Sequence, residues 1–79
     1  MTRSRDPFHQ ALGSLRLRIE QGLYGAGRPV VIVEEAQRLR LSTTPVREAL
    51  AWLAGAGLVE RAPLGDAEHV VQAAEAGVA

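Results

Sequence analysis

The sequence contains no cysteine and no lysine, and its aromatic residues are one phenylalanine, one tyrosine and one tryptophan. Without thiols it can form neither disulfides nor thiolate metal sites, so packing must supply the stability of this 79-residue chain. A chain this short forms one domain with a small core. Its longest nearly apolar run, 49–59, is far shorter than the roughly 18 residues that span a bilayer. These absences favour a single cytoplasmic domain without a membrane segment.

Charge is balanced overall but unevenly distributed along the chain. Residues 1–47 hold eight arginines and four acids, whereas residues 48–79 hold one arginine and five acids. The two parts therefore carry net charges of +4 and −4. Arginine suits contacts to phosphate and guanine because its planar guanidinium donates two parallel hydrogen bonds. A GC-rich genome would produce the same arginine bias.

The first helix is predicted from a start signal followed by an apolar period. Asp6 can accept from free backbone N–H groups, and Pro7 suits the first helical position. The apolar residues that follow recur at helical spacing and share one face: Phe8, Leu12, Leu15 and Ile19. We expect this helix over 7–22, with a glycine-rich loop after it.

Two further helices are predicted after a short β-branched run. The run 29–33 predicts a strand that needs a partner later in the chain. A short helix is expected over 34–39. Ser42 can cap a third helix that begins at Thr43 or Thr44 and ends at the next glycines. The core face of this third helix is predicted to be Val46, Ala49, Leu50 and Leu53.

The remaining segment predicts a β-hairpin. Strands are expected over 58–62 and 68–72, around the turn signal 63–66. The earlier strand would complete a three-stranded sheet with them. The predicted fold is therefore mainly α with a small antiparallel β-sheet, a winged helix-turn-helix of three helices and a β-hairpin wing.

The predicted domain covers residues 7–72. A disordered N-terminal arm is expected over 1–6. The segment 73–79 has no amphipathic pattern long enough to form a stable helix, so we expect a linker or tail there.

The third helix has a polar amino end. A helix amino end offers unpaired N–H groups, and side chains in its first two turns reach base edges when the helix enters the major groove. Ser42, Thr43 and Thr44 lie where such contacts occur, and the threonines are predicted to hold phosphate or a thymine methyl group. Arg47 is the side chain there that can bind guanine O6 and N7 together. The sequence therefore predicts a double-stranded DNA partner.

The residues 42–50, Ser-Thr-Thr-Pro-Val-Arg-Glu-Ala-Leu, are followed by Leu53 and by Gly-Leu-Val at 57–59. This pattern resembles the GntR family of bacterial transcriptional regulators, most of all the branch with an all-helical C-terminal effector domain. The similarity covers roughly 8–72. It implies a homodimer on a near-palindromic operator, recognition by helix three and by the wing tip at Gly65, and an effector domain outside this chain.

Four positions depart from the pattern of that family. Thr43 stands where the family commonly has an arginine, and Val33 stands where it has another basic residue. Glu35 replaces a buried leucine, and Arg40 replaces a glycine. Two habitual DNA contacts are therefore missing, and we expect Arg38 and Arg40 to supply phosphate contacts instead.

No arrangement of residues indicates catalysis or cofactor binding. A serine, a histidine and an acid do not fall into a nucleophile arrangement, so we predict that the chain is not an enzyme. His9 and His69 lack metal-ligand spacing, and we expect both to be exposed.

Two observations leave alternatives open. The chain is neutral and lacks two expected arginines, so a winged-helix module that binds protein and not DNA is the alternative function. Leu17 and Trp52 lie off the apolar stripes of their helices. Either the wing or a loop covers them, or they form a surface for a second copy or an effector domain.

Overall fold

A computed structural model describes residues 6–72. Within them the chain forms the predicted winged helix-turn-helix. The tail predicted over 73–79, and the arm predicted over 1–6 apart from Asp6, lie outside the described residues. The elements follow in the order α1 (Pro7–Glu20), β1 (Pro29–Val30), α2 (Ile32–Leu39), α3 (Thr43–Gly55), β2 (Val59–Leu64) and β3 (Ala67–Val71).

Helix α1 begins as its start signal predicts. The Asp6 carboxylate accepts from the backbone N–H of His9 at 2.8 Å, and Pro7 occupies the first helical position. The helix ends at Glu20, two residues before the predicted end. There the backbone turns back at Gly22, which has a positive φ of 78°.

The first strand is shorter than the predicted run 29–33. Only Pro29 and Val30 pair with β3, because Ile32 already belongs to α2 and buries its side chain in the core. Helix α2 therefore begins two residues before the predicted Glu34. Core packing outweighs the β preference of these branched residues, a preference that depends on context.

The sheet has the order β1-β3-β2 and is antiparallel throughout. Both hairpin strands reach nearer to the turn than predicted, so only Gly65 and Asp66 separate them. The central strand buries alternate residues, which are Ala67, His69 and Val71. The expectation that His69 is exposed is therefore wrong, because the period of two along β3 points its imidazole inward.

The core lies between α1, α3 and the sheet. Its largest fully buried side chains are Leu15, Leu50, Leu53, Val30, Val46 and Val59. The predicted core face of α3 is confirmed. Leu17 and Trp52 are exposed, so neither the wing nor a loop covers them. Within residues 6–72, no helix has the length and apolar character needed to cross a membrane.

Candidate nucleic-acid interface

The amino end of α3 is open to solvent. Ser42 lies at the N-cap position with extended backbone, but its side chain makes no capping hydrogen bond, so the predicted cap is wrong in that respect. Ser42 and Thr44 are exposed, and Thr43 is half-buried. The first N–H groups of a helix have no intrahelical partner. Hydroxyl and backbone donors therefore converge at this end.

Arg47 lies on the second turn of α3 with 55% of its side chain exposed. Its Nη1 donates to both carboxylate oxygens of Glu68, at 3.0 and 3.2 Å. Glu68 belongs to β3, so this ion pair joins the helix-turn-helix to the wing. The predicted guanine-binding residue is accessible, and it has a carboxylate partner.

The Arg47–Glu68 pairing was not predicted. Glu68 is visible in the sequence as an acid near the wing turn. Its contact with Arg47 depends on how the hairpin packs beside α3, which no local sequence signal encodes.

A groove of about 520 Å³ lies beside this ion pair. Its walls come from the start of α2, from α3 and from the wing, and its lining residues are Val31, Ile32, Val33, Glu34, Arg47, Asp66 and Glu68. Three acids and one arginine give the groove a negative balance. Among these lining residues, Arg47 is the one that attracts an anion.

The two other predicted arginines differ in their surroundings. Arg38 donates from Nε and Nη2 to Glu35 at 3.0 and 2.6 Å, and from Nη2 to the Ser14 hydroxyl at 3.0 Å. Its guanidinium therefore links α2 to α1. Arg40 is exposed in the turn between α2 and α3, with a left-handed φ of 61°. Of these two arginines, Arg40 has the guanidinium that is better placed for a partner.

The wing tip is short and carries no basic residue. Gly65 is exposed with a positive φ of 62°, and Asp66 follows it. A glycine at this position lets the chain reverse within two residues, because side chains disfavour that region of φ. The tip can therefore offer the backbone of Gly65 to a partner, but also the charge of Asp66.

Comparison with known proteins agrees with this architecture. A family model described as "Bacterial regulatory proteins, gntR family" matches residues 8–65, which include α2, α3, β1 and β2, all of α1 except Pro7, and Gly65 of the wing turn. A comparison with curated proteins gave no match. The matched region covers most of the chain, and its fold is a winged helix-turn-helix with an open α3 amino end. The chain therefore belongs to the GntR family of bacterial regulatory proteins and carries the DNA-binding domain of such a regulator.

Proposed function

We propose that this domain binds double-stranded DNA sequence-specifically, with the amino end of α3 in the major groove and the wing along the neighbouring minor groove. The observation that carries the proposal is the exposure of Ser42, Thr44 and Arg47 at one end of the second helix of a helix-turn-helix. Side chains at this position in other helix-turn-helix proteins reach base edges.

Each predicted contact has a distinct role in the proposal. Arg47 binds guanine O6 and N7. The hydroxyl groups of Ser42, Thr43 and Thr44 and the adjacent N–H groups hold phosphate, or the methyl groups of the threonines contact a thymine methyl group. Arg40 contacts the backbone from the turn.

Two of the predicted contacts are less favoured by their surroundings. Because its guanidinium is already bonded to Glu35 and Ser14, Arg38 is less available for the predicted phosphate contact. Gly65 contributes a backbone N–H from the wing tip.

We further propose that two copies bind a near-palindromic operator in the cytoplasm. Half-sites about one helical turn apart place two such helices on the same side of the duplex. Exposed Leu17 and Trp52 offer apolar surface that a second copy or an effector domain outside this chain could cover.

Selection of bound duplexes from a random pool tests the proposal directly. We expect an enriched half-site containing guanine, with weaker binding of random duplex. Affinity for either duplex should fall with salt by a log-log slope of about −0.9 per phosphate neutralised. An unenriched pool, or no salt-dependent binding, would contradict the proposal.

Replacement of Arg47 by alanine tests the central contact. We expect Arg47→Ala to weaken binding of the selected duplex by about 1–3 kcal/mol and to relax base preference at one position. The control is Arg16→Ala, which removes an arginine of similar exposure that is also paired at 3.0 Å, with Glu20 on α1. If both variants lose affinity equally, Arg47 contributes only its charge.

A protein-docking function is the second candidate, favoured by the acidic groove. Glu34, Asp66 and Glu68 would attract a basic peptide and repel phosphate. In that case random duplex would show little binding at any salt, and Arg47→Ala would leave that result unchanged.

A further inference from the structure

The ion pair between Arg47 and Glu68 leaves part of the guanidinium available. Only Nη1 of Arg47 donates to Glu68. Within residues 6–72, Nε and Nη2 of Arg47 make no hydrogen bond. Because a guanidinium is a rigid plane with five donors, one edge can be held by a carboxylate while another binds a second group.

The ion pair between Arg47 and Glu68 affects the binding of guanine and the binding of phosphate differently. A guanine in front of the free edge can accept from Arg47 without breaking the contact to Glu68. A phosphate at the same edge carries a full negative charge, which the Glu68 carboxylate repels, whereas guanine is neutral. The contact therefore favours the base-specific complex over the non-specific one.

Resting on the proposed function, we propose that Glu68 is a specificity-determining residue that positions the Arg47 guanidinium for guanine and opposes its contact with phosphate. Glu68 acts through Arg47 and does not itself read a base. The fixed orientation also lowers the conformational entropy that Arg47 loses on binding, because a positioned side chain has less freedom to lose.

The neighbouring acids do not share this role. Glu34 and Asp66 line the same groove, but the hydrogen bonds from Arg47 go to Glu68. Glu34 and Asp66 contribute negative charge that acts on every duplex alike. The position of Glu68 on β3, one residue after the strand begins, brings its carboxylate to α3.

The test uses Glu68→Gln, which keeps the shape of the side chain and removes its charge. Affinity should be measured for the duplex recovered by selection and for a shuffled duplex of the same composition. Loss of an exposed ion pair changes an equilibrium by about two- to fivefold. We therefore expect the shuffled duplex to bind about two- to fivefold more tightly, and the selected duplex to bind equally or less tightly.

Two further readouts and two control variants separate positioning from simple repulsion. In Glu68→Gln, base preference at the position read by Arg47 should relax, and the salt slope on the shuffled duplex should steepen by up to about 0.9. Asp66→Asn removes a charge from the same groove, so it should strengthen the binding of the selected and the shuffled duplex equally. Glu20→Gln removes the charge of the carboxylate that pairs with Arg16 on α1, so it should change neither affinity.

A double-mutant cycle decides the mechanism. If Glu68 acts through Arg47, then Glu68→Gln should not change the ratio of the affinities for the selected and the shuffled duplex in an Arg47→Ala background. A ratio that is unchanged by Glu68→Gln in the native background would overturn the inference while leaving the proposed function intact. Absence of DNA binding by the native chain would overturn both.

Discussion

His69 is a titratable side chain buried among apolar residues. It is 5% exposed, and its Nδ1 is buried without a hydrogen-bond partner within the described residues. Burial lowers the pKa of the imidazole below its usual value, the charge of Arg61 lowers it further, and Glu68 opposes both effects. The folded domain therefore holds His69 neutral at a pH where an exposed histidine binds a proton.

This burial predicts that the domain loses stability in mild acid. Below a pH of about 6.5 the unfolded chain protonates His69 while the folded chain does not, so the unfolded state binds more protons. The free energy of unfolding should fall with decreasing pH by at most about 1.4 kcal/mol per pH unit, until the folded-state pKa is reached. Urea unfolding between pH 5 and 8 measures this slope.

The variant His69→Gln identifies the source of that slope. It should be less stable at neutral pH, because a buried amide replaces the imidazole, but its stability should depend less on pH. Asp6 acts in a separate range, because the backbone N–H of His9 lowers its pKa and its capping bond is lost only below the usual carboxylate pKa. If the free energy of unfolding of His69→Gln depends on pH as steeply as that of the native chain, His69 is not the source of the slope.

Glu35 is a second buried ionisable residue, and it is held by a polar cluster. Its carboxylate accepts from the Tyr24 hydroxyl and from Arg38. The guanidinium groups of Arg18 and Arg28 lie 5.1 and 5.0 Å from the centroid of the Tyr24 ring. These contacts tie the loop after α1 to α2, and they balance the buried charge of Glu35.

Arg38→Ala should therefore act mainly on stability. We expect a loss of about 1–3 kcal/mol, below the range for a fully buried pair because one third of the Arg38 side chain is exposed. The salt slope of DNA binding should stay the same if Arg38 holds Glu35 and does not touch phosphate. Denaturant unfolding and a salt titration of the same variant distinguish these roles, and a reduced slope with unchanged stability would favour the phosphate contact.

The three helices end with the same backbone pattern, in which the chain turns back through one residue of positive φ. The N–H of the next residue then bonds to a carbonyl five positions earlier, as Leu41 does to Ala36 and Leu58 does to Leu53, both at 2.9 Å. Gly57 occupies the positive-φ position after α3, whereas Arg40 occupies it after α2. Arginine pays a steric penalty there that glycine does not.

Arg40→Gly separates the local strain from the proposed contact. Removing the strain should stabilise the domain by about 0.5–1 kcal/mol, after the greater flexibility of glycine in the unfolded chain is subtracted. DNA affinity should nevertheless decrease and the salt slope should fall by about 0.9, because one phosphate contact is lost. Thermal unfolding and a salt titration measure the two effects. A less stable variant would show that Arg40 makes contacts that outweigh its strain.

The boundary between β1 and α2 was the least predictable of the element boundaries. The apolar period and the Asp6-Pro7 start placed α1 to within two residues at its end, because these signals act inside the helix itself. The run 29–33 has strand preference throughout, yet Ile32 belongs to α2, where its side chain fills the core. A short branched run has no internal signal that distinguishes these outcomes.

The whole domain depends on one core to which every element contributes. Buried residues from all three helices and all three strands form a single cluster, so loss of one large side chain should weaken the entire fold. A domain of this size has only about 0.05–0.15 kcal/mol of stability per residue. Neighbouring residues on α3 allow a direct test, because Leu53 is fully buried and Trp52 is 47% exposed.

Leu53→Ala should destabilise the domain by about 2–5 kcal/mol, whereas Trp52→Ala should change its stability by less than about 1 kcal/mol. Urea unfolding followed by circular dichroism measures both variants, because Trp52 is the single tryptophan and its fluorescence is lost in one of them. If Trp52→Ala is as destabilising as Leu53→Ala and the effect depends on protein concentration, a second copy covers Trp52 in solution.

The order of the elements, the core face of α3 and the polar residues at its amino end follow from local spacing, capping residues and turn signals. Each of these acts within a few residues of the chain, so it can be recognised before folding. The pairing of Arg47 with Glu68 and the bond from Arg38 to Ser14 join residues that lie far apart in the sequence, and the inward orientation of His69 exists only once β3 is part of the sheet. They depend on strand register and on the packing of helices against the sheet, which arise only when the apolar faces come together.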